Sequence, residues 1–398
     1  MYCGDWLSEN EWFDIRNISS QRVSDLLGRI GESDRNKFFK TWYTHIKERE
    51  YIALDITSVS SYSKNRDECE YGYNRDGEHL PQTNICMLFG ETSKLPVYQT
   101  MYSGSLGDVS TLECTISQFH ALFGDICDVF IMDKGFFSKK NVDMMIEKGA
   151  RFLLSVPFSN GFARKMVEHE RTDIDNQKNT IITSKDPIRG VCREHLWGKH
   201  KLYAHVYYNL ERHVKEKNDL FLLIHQLKNA VRTGQYLVRL EPEISRYLKI
   251  DKTESGCTIA VREDAVARSL ETAGWFVLIS NHIENFQHAY DVYRMKDVVE
   301  NGFWKYKNNL GLDRLRVHSD EKALNKTFIA FISLILSSYI QKKTLKNCQK
   351  FSRLPLDRLF LILAKPKSVR IGRARILRPM TKQQNDLFEA FGISKPVG

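Results

Sequence analysis

Two short apolar runs, each leading into an aspartate, constrain this chain more than any other feature. The first is Tyr51-Ile52-Ala53-Leu54-Asp55-Ile56-Thr57-Ser58, the second Asp128-Val129-Phe130-Ile131-Met132-Asp133-Lys134-Gly135. Both are rich in β-branched and aromatic residues and give way to polar or turn residues, the pattern of a buried strand. A carboxylate at the end of such a strand is costly to bury unless a cation meets it. Neighbouring strands lie about 4.8 Å apart. If these two are neighbours, their acids form a site for a hard divalent cation.

A third stretch, from Tyr290 to Lys307, carries a glutamate among cations. Wound as one helix at about 100° per residue, it sets Tyr293, Lys296, Glu300 and Lys307 at roughly 0°, −60°, −20° and −40°. One tyrosine, two ammonium groups and one acid then share a stripe. Asp297 competes with Glu300, since Tyr290 precedes it by the same seven residues. In that register the two basic positions would fall on Tyr293 and Trp304, so Glu300 is the better candidate. Gly302 costs such a helix about 1 kcal/mol against alanine, which is tolerable where a neighbour presses on the backbone.

With these residues in view, the chain resembles the DDE transposases of prokaryotic insertion sequences. Asp55, Asp133 and Glu300 look like the acidic triad. The spacing Tyr293, Lys296, Glu300, Lys307 matches the Y-(2)-R-(3)-E-(6)-K signature of one large branch. Asp55-Ile56-Thr57-Ser58-Val59-Ser60 resembles the D-x-T-S-x-S opening, and Asp133-Lys134-Gly135-Phe136 the D-x-G-[FY] motif. Gly274 to Asn281 looks like the strand before the glutamate helix. The resemblance runs from about residue 35 to the C-terminus. It departs at Lys296, where the family usually has an arginine able to fork two hydrogen bonds onto a phosphate, and at Tyr102-Ser103-Gly104-Ser105, where a Gly-Asn pair is common.

The resemblance implies an α/β fold: a ribonuclease H-like mixed sheet flanked by helices, with a β-rich insertion between Asp133 and Glu300. It also implies two Mg²⁺ ions (Mn²⁺ able to substitute) held by Asp55, Asp133 and Glu300. Tyr293, Lys296 and Lys307 would bind DNA phosphates. The implied reaction is cleavage at element ends, then in-line attack of the freed 3′-hydroxyl on target DNA. A terminal hairpin is a known intermediate in this branch. The implied partners are element terminal repeats, target DNA and a second copy of the chain in the active complex. The implied location is the cytoplasm of a prokaryote, at the nucleoid. Two alternatives stay open: a decayed or domesticated copy that binds DNA without cutting, and a ribonuclease H-like nuclease.

Composition agrees with a polyanionic partner. The net charge is +10, with a pI near 9.0, and the excess is local: from Gln341 to Lys382 there are 13 Lys/Arg against the single acid Asp357. A basic C-terminal region of this kind suits nucleic-acid contact. The eight cysteines are scattered without a C-x-x-C pair, which suits free thiols in a reducing compartment. The start of the chain shows no signal-peptide pattern. Thr327 to Ile340 is apolar but short for a membrane span and reads as a core helix. No G-x-x-x-x-G-K-[ST] loop is present, so nucleotide use is not expected. Cys192, His195 and His200 lack the second cysteine of a zinc site and read as ordinary strand residues.

Along the chain, residues 1–50 read as an N-terminal helical region, with a helix from Asp34 capped by Ser33. Residues 51–157 and 263–340 read as the catalytic core, 158–262 as the β-rich insertion, and 341–398 as the basic C-terminal region. Strands are expected at Asn84–Gly90, Leu95–Tyr102 and Arg151–Val156, and helices at Leu112–Phe123 and Ser138–Lys148. The first and fourth strands of that order lie side by side in a ribonuclease H-like sheet.

Overall fold

The computed structural model describes residues 18–46, 51–63, 66–124, 129–183, 187–234, 240–253, 256–347, 351, 354–364, 368–372 and 374–393. The expectations for residues 1–17, and for part of the basic C-terminal region, lie outside these. The chain divides into two compact units, Met1–Ile131 with Met295–Gly398, and Met132–Arg294. The sequence pattern instead suggests boundaries after residues 157 and 262. The fold is mixed α/β.

The first unit opens with helices α1 (Ser20–Leu27) and α2 (Glu32–Ile46) and strands β1 (Tyr51–Ser60), β2 (Gln82–Gly90) and β3 (Pro96–Ser103). Helix α3 (Asp108–Phe123) and strand β4 (Val129–Met132) follow. Helix α2 starts earlier than expected: Ser33 lies inside it, and Asp34 Oδ2 accepts from the Gly31 N–H at 2.9 Å. The strand order is β3-β2-β1-β4, so the first and fourth strands are neighbours as the pattern predicts. β1 runs antiparallel to β2, with Asp55 opposite Met87. Asp55 is not at a strand end: β1 continues beyond it to Ser60.

After the second unit the chain returns with α10 (Asp297–Trp304), a π-helical turn (Lys305–Asn309) and α11 (Asp320–Asn347). It ends with α12 (Leu356–Leu363), a hairpin of β12 (Ser368–Ile371) and β13 (Ala374–Leu377), and α13 (Lys382–Phe391). Helix α11 has 28 residues, longer than expected, and by length and apolar content alone could cross a membrane. In this fold it packs inside the unit. Phe328 and Phe331 meet Phe39 at ring distances of 5.6 and 5.3 Å, and Asn325 Nδ2 donates to the Leu27 and Ile30 carbonyls. Those bonds satisfy carbonyls left open around the end of α1.

The second unit contains α4 (Lys139–Glu147), β5 (Arg151–Val156), α5 (Gly161–Glu170), β6 (Thr180–Ile182), β7 (Pro187–Trp197) and β8 (His200–Tyr208). Then come α6 (Leu210–Thr233), α7 (Glu241–Tyr247), β9 (Leu248–Thr253), β10 (Gly256–Val261), α8 (Glu263–Leu270), β11 (Trp275–Ser280) and α9 (Phe286–Arg294). Its strands follow the order β5-β11-β8-β7-β6, with β9 and β10 as a separate hairpin. The segment expected to be a β-rich insertion is therefore only partly that. β8 hydrogen-bonds directly to β11, and the 24-residue α6 packs with α7 and α8 around Leu227, Ile244 and Val266.

Candidate active site

Asp55 lies in the middle of a strand whose residues before and after it are buried, yet it is itself only partly covered. Strand geometry alternates side chains between faces. Asp55 therefore points away from the face that carries Leu54, Ile56, Ser58 and Ser60. Its Oδ1 accepts from the Ile56 N–H at 2.9 Å. Its Oδ2 lies 3.6 Å from Lys296 Nζ, and the same ammonium lies 3.4 Å from Glu300 Oε1. One buried cation thus joins two carboxylates 245 residues apart in sequence.

The helix expected across residues 290–307 is interrupted. α9 ends at Arg294, Met295 and Lys296 form a turn, α10 begins at Asp297, and the last turn widens into a π-helix. The four residues therefore do not lie on one continuous helix. Lys296 and Glu300 stay together one helical turn apart, consistent with an i,i+4 pair. Lys307, carried by the π-helical turn, instead meets Asp76, its Nζ lying 2.9 and 2.7 Å from the two carboxylate oxygens. A π-turn adds a residue to the helical repeat, so a spacing counted at about 3.6 residues per turn misplaces every side chain beyond it.

Gly302 is explained by this packing. A Cβ at this position would sit 2.2 Å from Cζ of Phe89 on β2, a ring that is itself buried. The missing side chain lets α10 lie close to the sheet that carries Asp55. Asp297, the rival acid, is exposed on the same helix, as is Glu300, and it is Glu300 whose carboxylate lies 3.4 Å from Lys296 Nζ.

The serines of the D-x-T-S-x-S segment serve a different purpose. Ser58 Oγ donates to the Tyr73 carbonyl at 3.3 Å, and Ser60 Oγ to Glu78 Oε2 at 2.7 Å. Asn74 Nδ2 donates to Ser60 Oγ at 3.0 Å. The Ser60 hydrogen bond first, then that from Arg314, holds the Glu78 carboxyl below its ordinary range. These bonds pin the loop between β1 and β2, and that loop presents Asp76 to Lys307. Gly104, in the segment that departs from the family, is crowded by backbone: a Cβ there would meet the Gln82 carbonyl oxygen at 2.0 Å. Sequence reading misses Asp76 and the loop anchors because a polar loop has no periodicity to read.

Asp133 and Tyr293 belong to the second unit. Asp133 follows β4 and caps a short 3₁₀ turn, its Oδ1 accepting from the Gly135 N–H at 2.7 Å. Tyr293 is half-buried near the end of α9. Among the described residues, no three His, Cys, Asp or Glu side chains form a group arranged to hold a metal ion. The donor chemistry of Asp55 and Glu300 nevertheless fits Mg²⁺: both offer hard carboxylate oxygens, and both already converge on one cation.

Residues 47–336 match the family described as a transposase DDE domain. No match is found among curated proteins. A cryo-EM structure of a piggyBac transposase synaptic complex with hairpin DNA aligns with 88% of this chain and 65% of that one, at 9% identity and a TM-score of 0.32. A similarity at that level bears on neither fold nor function.

Proposed function

Because this chain belongs to the transposase DDE domain family, we propose that it is a DNA transposase that cuts at element ends and joins the freed end to target DNA. The observation that carries the proposal is the convergence of Asp55 and Glu300 on one ammonium, from the two motifs that the family resemblance singles out. The β3-β2-β1-β4 order with Asp55 on its third strand supports a ribonuclease H-like reading of the core.

In this proposal Asp55, Asp133 and Glu300 are the catalytic acids and would hold two Mg²⁺ ions. When bound, those ions would supply Lewis acidity and a nucleophile at neutral pH. The chain's own groups do the rest. The Ile56 N–H fixes Oδ1 of Asp55, while Oδ2 faces the Lys296 ammonium at 3.6 Å. The close seat of Gly302 on Phe89 sets the height of α10, and hence of Glu300, above the sheet. Lys307, once it exchanges Asp76 for a phosphate, would offer a point charge, and Tyr293 a hydroxyl donor, to the DNA backbone. The basic residues of 341–382 extend the electrostatic footprint. DNA ends, target DNA and a second copy of the chain are the proposed partners, in a prokaryotic cytoplasm.

The test is cleavage of duplexes carrying the inverted repeats that flank the gene. Mg²⁺-dependent nicking at the repeat ends, lost in Asp55→Asn, is the expected result. Binding of those ends without any cleavage would favour the decayed or domesticated reading.

A further inference from the structure

The position of Lys296 has a meaning beyond phosphate binding. Its side chain is 10% exposed, and its ammonium sits 3.6 Å from Asp55 and 3.4 Å from Glu300. Two carboxylates placed this close repel each other, and an ammonium between them offsets that repulsion. We propose that Lys296 is a built-in counter-cation that holds the Asp55–Glu300 pair in the metal-free chain and competes with the divalent ion for the same oxygens. The inference rests on the proposed metal role of Asp55 and Glu300.

The competition follows from charge and reach. A lysine ammonium is a compact point charge on a flexible four-carbon stem, so it can leave one partner for another. An incoming divalent ion would take the oxygens that Lys296 now faces and would be repelled by it at short range, where screening is weak. Lys296 would then have to turn aside, toward a DNA phosphate where one is present. Metal loading and DNA binding would thereby help each other. An uncharged side chain at 296 removes the competitor but keeps the two carboxylates.

Mn²⁺ alone, titrated into the full chain and followed by electron paramagnetic resonance, tests this without any cleavage assay. Lys296→Met and Lys296→Gln are expected to bind Mn²⁺ about tenfold more tightly than the parent, equal to about 1.4 kcal/mol. Lys296→Arg, which keeps the charge, is expected to stay within about twofold of the parent. Mn²⁺ should also raise the melting temperature of the Met and Gln variants more than that of the parent, since tighter binding to the folded state stabilises it more. Equal or weaker Mn²⁺ binding by the folded Met and Gln variants would overturn the proposal. Asp55→Asn separates the two levels. If it loses Mn²⁺ binding while Lys296→Met gains none, only the competition is wrong. If it binds Mn²⁺ as the parent does, the assignment of Asp55 as a ligand fails as well.

Discussion

Single residues decide how closely the acids are held. At Gly302 two effects oppose each other. Alanine would favour the helix by about 1 kcal/mol, but its Cβ would lie 2.2 Å from a buried phenylalanine ring, and overpacking of that kind costs about 1–3 kcal/mol. The clash wins because Phe89 has no exposed side toward which to move. Gly302→Ala should therefore lower the melting temperature measured by circular dichroism; an unchanged or higher value would mean that α10 does not rest on β2. His205 on β8 is a second such residue. Its Nε2 lies 3.0 Å from the Ile283 carbonyl, so this nitrogen is the donor, and its buried Nδ1 meets no partner among the described residues. Burial holds its pKa down at about 4, against 6.5 when free, despite the bond to Ile283. Its neutral form thus favours the folded state fully above pH 6.5, and that contribution is lost as pH falls toward 4, because the unfolded chain binds the proton first. Chemical denaturation should show about 2 kcal/mol less stability at pH 5 than at pH 7 from this group. His205→Gln should flatten that dependence, and a profile identical to the parent's would rule the group out as its source.

Among the elements, the loop between β1 and β2 matters more than its sequence suggests. It is anchored by Ser58 and Ser60 and spends an acid, Asp76, on the lysine that the family resemblance assigns to phosphate. Asp76→Asn should leave Lys307 free for DNA, raising affinity for a nonspecific duplex about two- to fivefold and steepening its salt dependence by about one charge. Fluorescence anisotropy across a salt series measures both, and unchanged affinity with an unchanged slope would show that the pair does not restrain binding. The elements also show how much the sequence makes legible. β1, β4, β5 and β11 can be read because buried strands leave dense apolar runs, and α3 and α4 because of their helical spacing. The break at Met295-Lys296 and the π-turn at Lys305 cannot, since they preserve an apolar and charged pattern that a continuous helix also satisfies. The strand pairing of β8 with β11 is invisible for a different reason. Pairing between segments separated by a long helix is decided by tertiary contacts, not by either sequence alone.

At the scale of the whole chain, the acids proposed for catalysis are shared between two compact units: Asp55 and Glu300 in one, Asp133 in the other. The resemblance names all three. The structure adds that two of them, Asp55 and Glu300, meet at the Lys296 ammonium. The central claim is that the three carboxylates act as one catalytic unit on DNA. Single-turnover cleavage of the flanking repeat ends in Mg²⁺, compared among Asp55→Asn, Asp133→Asn, Glu300→Gln and the triple variant, tests it most directly. Groups that act as a unit lose about as much singly as together, so each single variant should fall by about a thousandfold or more, and the triple variant little further. Cleavage that persists undiminished in any one of the three single variants would contradict the claim.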